Sequence, residues 1–450
     1  MAARAAGLRA NRNWQKLWLG QLISVFGDFV FDITLVLWVG AVIAHGRSFA
    51  PIAVSGVLIA AAIPIVIVGP IAGVFVDRWN RRRTMMIADL LRAGLIGVLV
   101  VVAIMRPVLP IWATLTAVYV VVAATAAAAQ FFNPSRFATI AAVVAEQDRP
   151  KAFGLTSASS NAAAILGPPL AAPLLFSMSP VWALTVNMVS FLISFTLIRS
   201  TVIAPQQDSA ATEAKGFRAE FIDGVRFVSA SPILRLILVT VFIYMFGVGA
   251  VNALQIFFVG ENLKVDPSCL GVLEGAFGFG SIVGALATPR LVSVLGERRV
   301  FAFGVLATAL IAFAYSRSTS LYLGIGVLGL IGIPVAAVNV ALSPIILREA
   351  PNRLIGRVNA VLNPLVYLAS VSSMVLAGIV ASGLTIHFRW SLAGIEFHRI
   401  DTIFAFCGLL MLVAGCVVTV RMTALPDPGE TDDARPALVG GDARSATNGQ

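Results

Sequence analysis

Twelve runs of apolar residues at or near the length that crosses a lipid bilayer, the sixth and the ninth being short, dominate this 450-residue sequence. They fall near 14–44, 52–76, 84–105, 108–132, 153–177 and 180–199. After a polar stretch they resume near 232–260, 268–289, 299–315, 319–347, 356–382 and 400–421. A spanning helix needs about 20 apolar residues, and continuous runs of that length read as helices, not as the alternating strands of a barrel. The chain is 58% hydrophobic and 12% charged, against about 25% charged for a soluble domain. So few charges cannot coat an ordinary water-facing surface, which excludes soluble and disordered classes. The first run is too long for a secretory signal and has no small-residue cleavage site, so it is expected to be a retained helix. The expected fold is an all-α membrane protein.

An even number of spans puts both termini on one face. Six of the 32 Lys and Arg residues fall on the opposite face: Arg47, Arg106, Lys264, Arg317, Arg389 and Arg399. The other 26 cluster on the face with the termini, and positive charge marks the cytoplasmic side. The expectation is a multi-pass protein of a bacterial inner membrane with cytoplasmic termini. The net charge of +10 is therefore read as topogenic, with lipid and not nucleic acid as its partner. Cys269, Cys407 and Cys416 have neither disulfide nor metal-ligand spacing and are expected to pack.

The expected organisation is an N-terminal six-helix bundle (1–205), a cytoplasmic linker with an amphipathic helix (206–230), a C-terminal six-helix bundle (231–424) and a disordered tail (425–450). Phe217, Phe221, Val225 and Val228 recur at helical spacing in the linker, which suits a helix on the inner membrane surface. The tail is rich in Pro, Gly and Asp. The halves echo each other at an offset of 215: Gly56-Val57-Leu58 matches Gly271-Val272-Leu273, and Gly69 matches Gly284. Such an echo implies a duplicated six-helix unit, expected of a rocking transporter.

The loop after the second run reads Gly73-Val74-Phe75-Val76-Asp77-Arg78-Trp79-Asn80-Arg81-Arg82-Arg83. It resembles the signature loop of the major facilitator superfamily, G-x-L-x-D-R-x-G-R-R, with Phe75 for Leu and Asn80 for the second Gly. Asn tolerates a left-handed turn, so the second departure is mild. The resemblance implies two pseudo-symmetric six-helix bundles and a gating loop of Gly73, Asp77, Arg78, Arg81 and Arg82. In it, Asp77 latches onto the start of the eleventh helix near Gly356-Arg357-Val358. Gly167-Pro168-Pro169-Leu170-Ala171 resembles the G-P-x-x-G motif of exporters in that superfamily, with Ala171 for the last Gly; tight packing explains Gly167 and Pro168 equally well. Phe26-Gly27-Asp28, Asn133-Pro134-Ser135-Arg136 and Gly356-Arg357-Val358 resemble its drug, macrolide and siderophore exporters. The fourth helix, read as 111–132, lacks the arginine that many of its proton antiporters carry.

Asp28 and Asp32 lie near the middle of the first run, and Glu274 about two turns into the eighth. A central aspartate costs roughly 2.5–3.5 kcal/mol on insertion scales. Residues four apart share a helix face, and two neighbouring carboxylates out of water cannot easily both carry charge, which supplies the protonatable group a coupled step needs. Asp28, Asp32 and Glu274 are the candidates for proton or substrate coupling, with Asp28 leading; capping or helix packing is the plain alternative. Asp89 sits three residues before Arg92 and is its expected partner. Gln21, Asn161, Asn252, Gln255, Asn339 and Asn363 are candidates to line a polar cavity.

Together the resemblance and the buried acids lead to a secondary active transporter: proton-coupled efflux of lipophilic or cationic small molecules by alternating access. The alternatives are export of a siderophore or other natural product, uptake of a nutrient, and a membrane receptor. Enzyme activity is not expected, because His45, His387 and His398 all fall in far-face loops and no phosphate-binding loop occurs. No cofactor or metal is expected, the proton gradient being the energy source, and a monomer is expected to suffice.

Overall fold

Lipid offers the backbone no hydrogen bonds, so each apolar run closes its own and becomes a helix. The computed structural model describes residues 8, 11–76, 79–202, 217–350, 355–385, 388–392 and 395–423. The N-terminal half holds α1 (Arg12–Leu37), α2 (Ala50–Val76), α3 (Arg81–Met105), α4 (Ile111–Val143), α5 (Arg149–Pro173) and α6 (Pro180–Arg199). A helix α7 (Phe217–Ala230) precedes the C-terminal half, which holds α8 (Pro232–Glu261), α9 (Leu270–Leu295), α10 (Glu297–Ser316), α11 (Leu321–Glu349), α12 (Ile355–Gly383) and α13 (Arg399–Thr423). Among the described residues, twelve helices are long and apolar enough to cross a membrane. The start of α1 and the end of α13 define the terminal face, and the opposite one is the far face.

Polar side chains close the open helix starts. Asn11 accepts from the Trp14 N–H at 3.0 Å, Asn80 from Arg83 at 3.0 Å and Ser231 from Leu234 at 3.3 Å, each satisfying a donor that the helix cannot. The left-handed turn expected at Asn80 is corrected here: its φ is −67°, and it serves as the N-cap of α3.

The two halves repeat one packing scheme. In the first, α1 packs on α5 and α6, α2 on α4, and α3 on α4 and α6; in the second, α8 packs on α12 and α13, α9 on α11, and α10 on α11 and α13. The glycine echo follows it, since Gly69 of α2 approaches Gln130 of α4 and Gly284 of α9 approaches Ile333 of α11. Between halves, α2 meets α12 and α5 meets α9.

Those contacts gather toward the far face. A Cβ on Gly378 of α12 would lie 2.4 Å from Ser55 Oγ, and the Ile52 N–H of α2 donates to Ser382 Oγ at 3.2 Å. Gly271 of α9 lies against the Pro168 carbonyl of α5, and Gly40, in the wide turn that continues α1, lies against Ile256 of α8. The largest buried apolar cluster draws on both halves there, joining Trp38, Val54 and Val57 to Leu254, Phe258 and Ala377. The smaller clusters each belong to one half. Among the described residues, the far face is sealed and the halves part toward the terminal side.

Two further differences from the sequence reading appear. α4 does not stop at Phe132 but continues through Pro134 to Val143, carrying Arg136 within the helix. The loop after α12 forms an antiparallel hairpin, β1 (Arg389–Leu392) and β2 (Ile395–His398), in which Trp390 stacks on Phe397 with ring centroids 4.8 Å apart. The hairpin is pinned by Arg317, which lies over Phe397 at 4.4 Å and reaches Asp401 at 3.1 Å. α7 packs Val228 against Val358 and Leu362 of α12. The tail and residues 203–216 of the linker region lie outside the described residues.

Two glycines separate folding from state. A Cβ on Gly280 of α9 would sit 1.8 Å from the Gly329 carbonyl oxygen of α11, within one half. Gly280→Ala is expected to lower the melting temperature of the detergent-purified protein, as backbone overpacking costs roughly 1–3 kcal/mol or more. Gly378→Ala instead opposes only the far-sealed state and is expected to raise far-side alkylation of a cysteine placed in the cavity. An unchanged melting temperature in the first variant would contradict the packing described here.

Candidate functional site

Where the halves part, α1, α2, α5, α8, α9, α11 and α12 enclose a cavity of about 810 Å³. Its walls are mostly apolar, including Ile33, Val36, Leu58, Ile165, Phe277 and Met374. At the far end the lining is shut off from solvent: Val36, Gln255 and Leu270 are 7%, 4% and 2% exposed. Toward the terminal face it opens, with Leu286 78% exposed and Asn161, Ala285, Asn339 and Val340 also exposed. The cavity therefore opens toward the terminal face.

Two carboxylates face into it from opposite halves. Asp32 comes from α1 and is exposed to the cavity, although it lies mid-helix; Glu274 comes from α9 and is half-buried near the sealed end. Asn161, Asn252, Gln255 and Asn339 line the same space, as expected from sequence. No Lys, Arg or His is among the described lining residues. Tyr315 is the titratable group next to Glu274, and its ring packs on Phe258 and Phe404 inside the far seal.

Asp28 is not part of the cavity lining. It sits behind Asp32 in a charge cluster inside the N-terminal half, facing Asn187, Arg92, Asp89 and Arg136. Gly27 makes that approach possible, since a Cβ there would lie 2.5 Å from Ser190 Oγ and 2.7 Å from Asn187 Oδ1. Arg92 pairs with Asp89, as the three-residue spacing implied. Its guanidinium is held between Phe132 and Phe191, 4.5 and 4.2 Å from the ring centroids. Arg136 is the residue that sequence reasoning missed. The run Asn133-Pro134 was read as a helix end, yet proline removes only one donor, and Ser135 and Thr139 bond back to the carbonyls of Phe131 and Ser135 within a continuing helix.

The remaining candidates scatter. Gln21 is buried in α1 away from the cavity, with neither side-chain amide atom hydrogen-bonded. Gly167 lets α5 close on Phe29 of α1, where a Cβ would lie 2.7 Å from the Phe29 Cβ, while Pro168 lines the cavity and meets α9. Gly73 lies in the last turns of α2. Arg82 donates to the carbonyls of Ile198 and Arg199, tying α3 to the end of α6, and Arg81 opens α3. Asp77, Arg78 and the side chains of Asn363 and Arg357 lie outside the described residues, and so does the latch expected between them.

Residues 3–415 match the family model described as transmembrane secretion effector, a branch of the major facilitator transporters. The chain belongs to this family. The transporter is similar to the multidrug efflux pump Tap of Mycolicibacterium fortuitum, 27% identical over 374 residues that cover 79% of this chain and 86% of Tap. It is also similar to macrolide efflux protein A of Streptococcus pyogenes, 24% identical over 282 residues, 61% of this chain and 66% of that protein. The fold matches nucleoside transporter NupG with a TM-score of 0.69 at 12% identity, covering 92% of this chain and 99% of NupG. A bacterial homologue of the iron transporter ferroportin matches with 0.67 in its inward-facing state and 0.59 in its outward-facing state, at 16% and 18% identity and the same coverage of 92% and 99%.

The paired and the unpaired carboxylates should answer mutation oppositely. Asp89→Asn leaves Arg92 charged between two rings and is expected to destabilise the transporter by about 3–5 kcal/mol. Asp32→Asn removes a charge that has no basic partner among the described residues, so its melting temperature in detergent is expected to stay level or rise. Equal losses in the two variants would contradict the division between cluster and cavity.

Proposed function

We propose that this transporter exports lipophilic cationic small molecules in exchange for protons, by alternating access, across a bacterial cytoplasmic membrane. One observation carries the reading: an apolar cavity between the halves holds two carboxylates and four carboxamides and no basic side chain among its described lining. Such a space favours a molecule with a greasy body and positive charge, because apolar walls remove the body from water and carboxylates supply the counter-charge. An anion would meet two like charges there. The names of the efflux relatives support the outward direction. The excess of arginine and lysine on the terminal face supports cytoplasmic termini, so that the cavity described here opens to the cytoplasm.

In this cycle the cation enters from the terminal face and binds at ionised Asp32. The apolar far seal then parts as the terminal ends of α5 and α9 close. A proton from the far side takes the carboxylate and the cation leaves. Return of the protonated site to the terminal side, where the proton is lost, resets the cycle. The energy source is the proton gradient, with no cofactor required.

The decisive measurement is tetraphenylphosphonium flux in proteoliposomes under an imposed pH gradient. The wild type is expected to move the cation against its gradient. Asp32→Asn is expected to slow it about tenfold or more, the factor that losing a charge-assisted contact of roughly 1.5–3 kcal/mol gives. Gradient-driven flux that survives intact in Asp32→Asn would overturn the assignment.

A further inference from the structure

The arrangement of charge inside the spans goes further than the choice of substrate. Among the described residues, Glu261 is paired with Arg399, Asp401 with Arg317, Glu297 with Arg348 and Glu349 with Arg298. Asp28 and Asp89 share a cluster with Arg92 and Arg136, two charges of each sign. Away from the helix ends, that leaves two carboxylates in the described spans with no basic partner among the described residues, Asp32 and Glu274, and both face the same cavity.

The surroundings offer them nothing else. Asp28 is the charged group beside Asp32, and it is answered by its own arginines. Tyr315, from α10, is the titratable group beside Glu274. The other walls present carboxamides: Asn161 from α5, Asn252 and Gln255 from α8, and Asn339 from α11. A charge left unanswered in such a place is costly enough that the site takes up compensating charge from outside.

We infer that Asp32 and Glu274 form one site that holds two positive charges in every state that crosses the membrane, so that the transporter exchanges one proton for each positive charge on its substrate. This rests on the proposed proton-coupled export. The site is filled by two protons on the empty return, by one proton and a monocation, or by a dication. A monocation leaving outward is replaced by one proton moving inward, and a dication by two. Charge balances in each case, so the exchange is electroneutral. Glu274 is then the residue that admits dications, because without it the site offers one charge.

The test uses the full-length protein in liposomes with a trapped pH dye, and with potassium and valinomycin to set the membrane potential at fixed pH gradient. The probes are tetraphenylphosphonium, with one charge, and dequalinium, with two. The expected result is one proton counted per tetraphenylphosphonium and two per dequalinium, at rates that an imposed potential does not change. In Glu274→Gln, dequalinium exchange is expected to fall about tenfold or more, while the proton count per tetraphenylphosphonium remains one. The same proton count for both probes, or a rate that follows the potential, overturns the inference and leaves proton-coupled export standing. No proton-linked movement of either probe by the wild type removes the transport reading and this inference together.

Discussion

A charge inside an apolar bundle must be answered by an opposite charge, and the fold is organised around where that answer comes from. Most of the carboxylates within the described helices are answered by arginine from the same half. Breaking such a pair strands its partner at a cost of about 3–5 kcal/mol, which makes each pair a rigid feature of its own bundle. Two carboxylates are left for the cavity. In the proposed exchange, what satisfies them arrives from solution and leaves again, and this connects an electrostatic penalty to transport.

The cavity exists because the described contacts between the halves gather at the far end. The far seal is built from small residues and apolar side chains, with Gly378 against Ser55 and Gly271 against the Pro168 backbone. Without a hydrophobic drive between helices in lipid, close approach and dispersion hold such contacts. The same duplication that sets α2 on α4 and α9 on α11 provides two matched rocking bodies. A pseudo-two-fold pair of bundles can exchange which end is closed without rearranging either body.

Much of this was legible in the residues. Hydrophobic run length gives the twelve spans, because lipid leaves the backbone no other way to pair its groups. The glycine echo at Gly69 and Gly284 reported a real equivalence, since each glycine marks the same helix-on-helix approach in its half. The Asp89–Arg92 pair followed from helical spacing. Several features set by tertiary contact could not be read. Asp28 and Asp32 share a face in the sequence, yet in the packing of α1 on α5 and α6 one meets an arginine cluster and the other lines the cavity. Arg136 was hidden by a proline that looked like a stop and is carried inside a longer helix. The far-face hairpin escaped because its short strands lie between two dominant apolar signals.

The distribution of ion pairs also explains how a modest ligand can drive a large motion. All the ion pairs between described residues lie within one half, and the described contacts that join the halves are uncharged. Had Asp32 been tied to an arginine across the interface, each turnover would have required breaking a desolvated pair. An uncharged seal requires no such break, and a ligand shifts an equilibrium between two states by its difference in affinity for them. Asp32 and Glu274 line the cavity from opposite halves, so neutralising both acts on both halves at once. With a charge on each wall, like-charge repulsion resists approach of the halves around the site; with both charges answered, that resistance is gone. In the proposed exchange, the uncompensated acids are the check that keeps an unfilled transporter from closing around nothing.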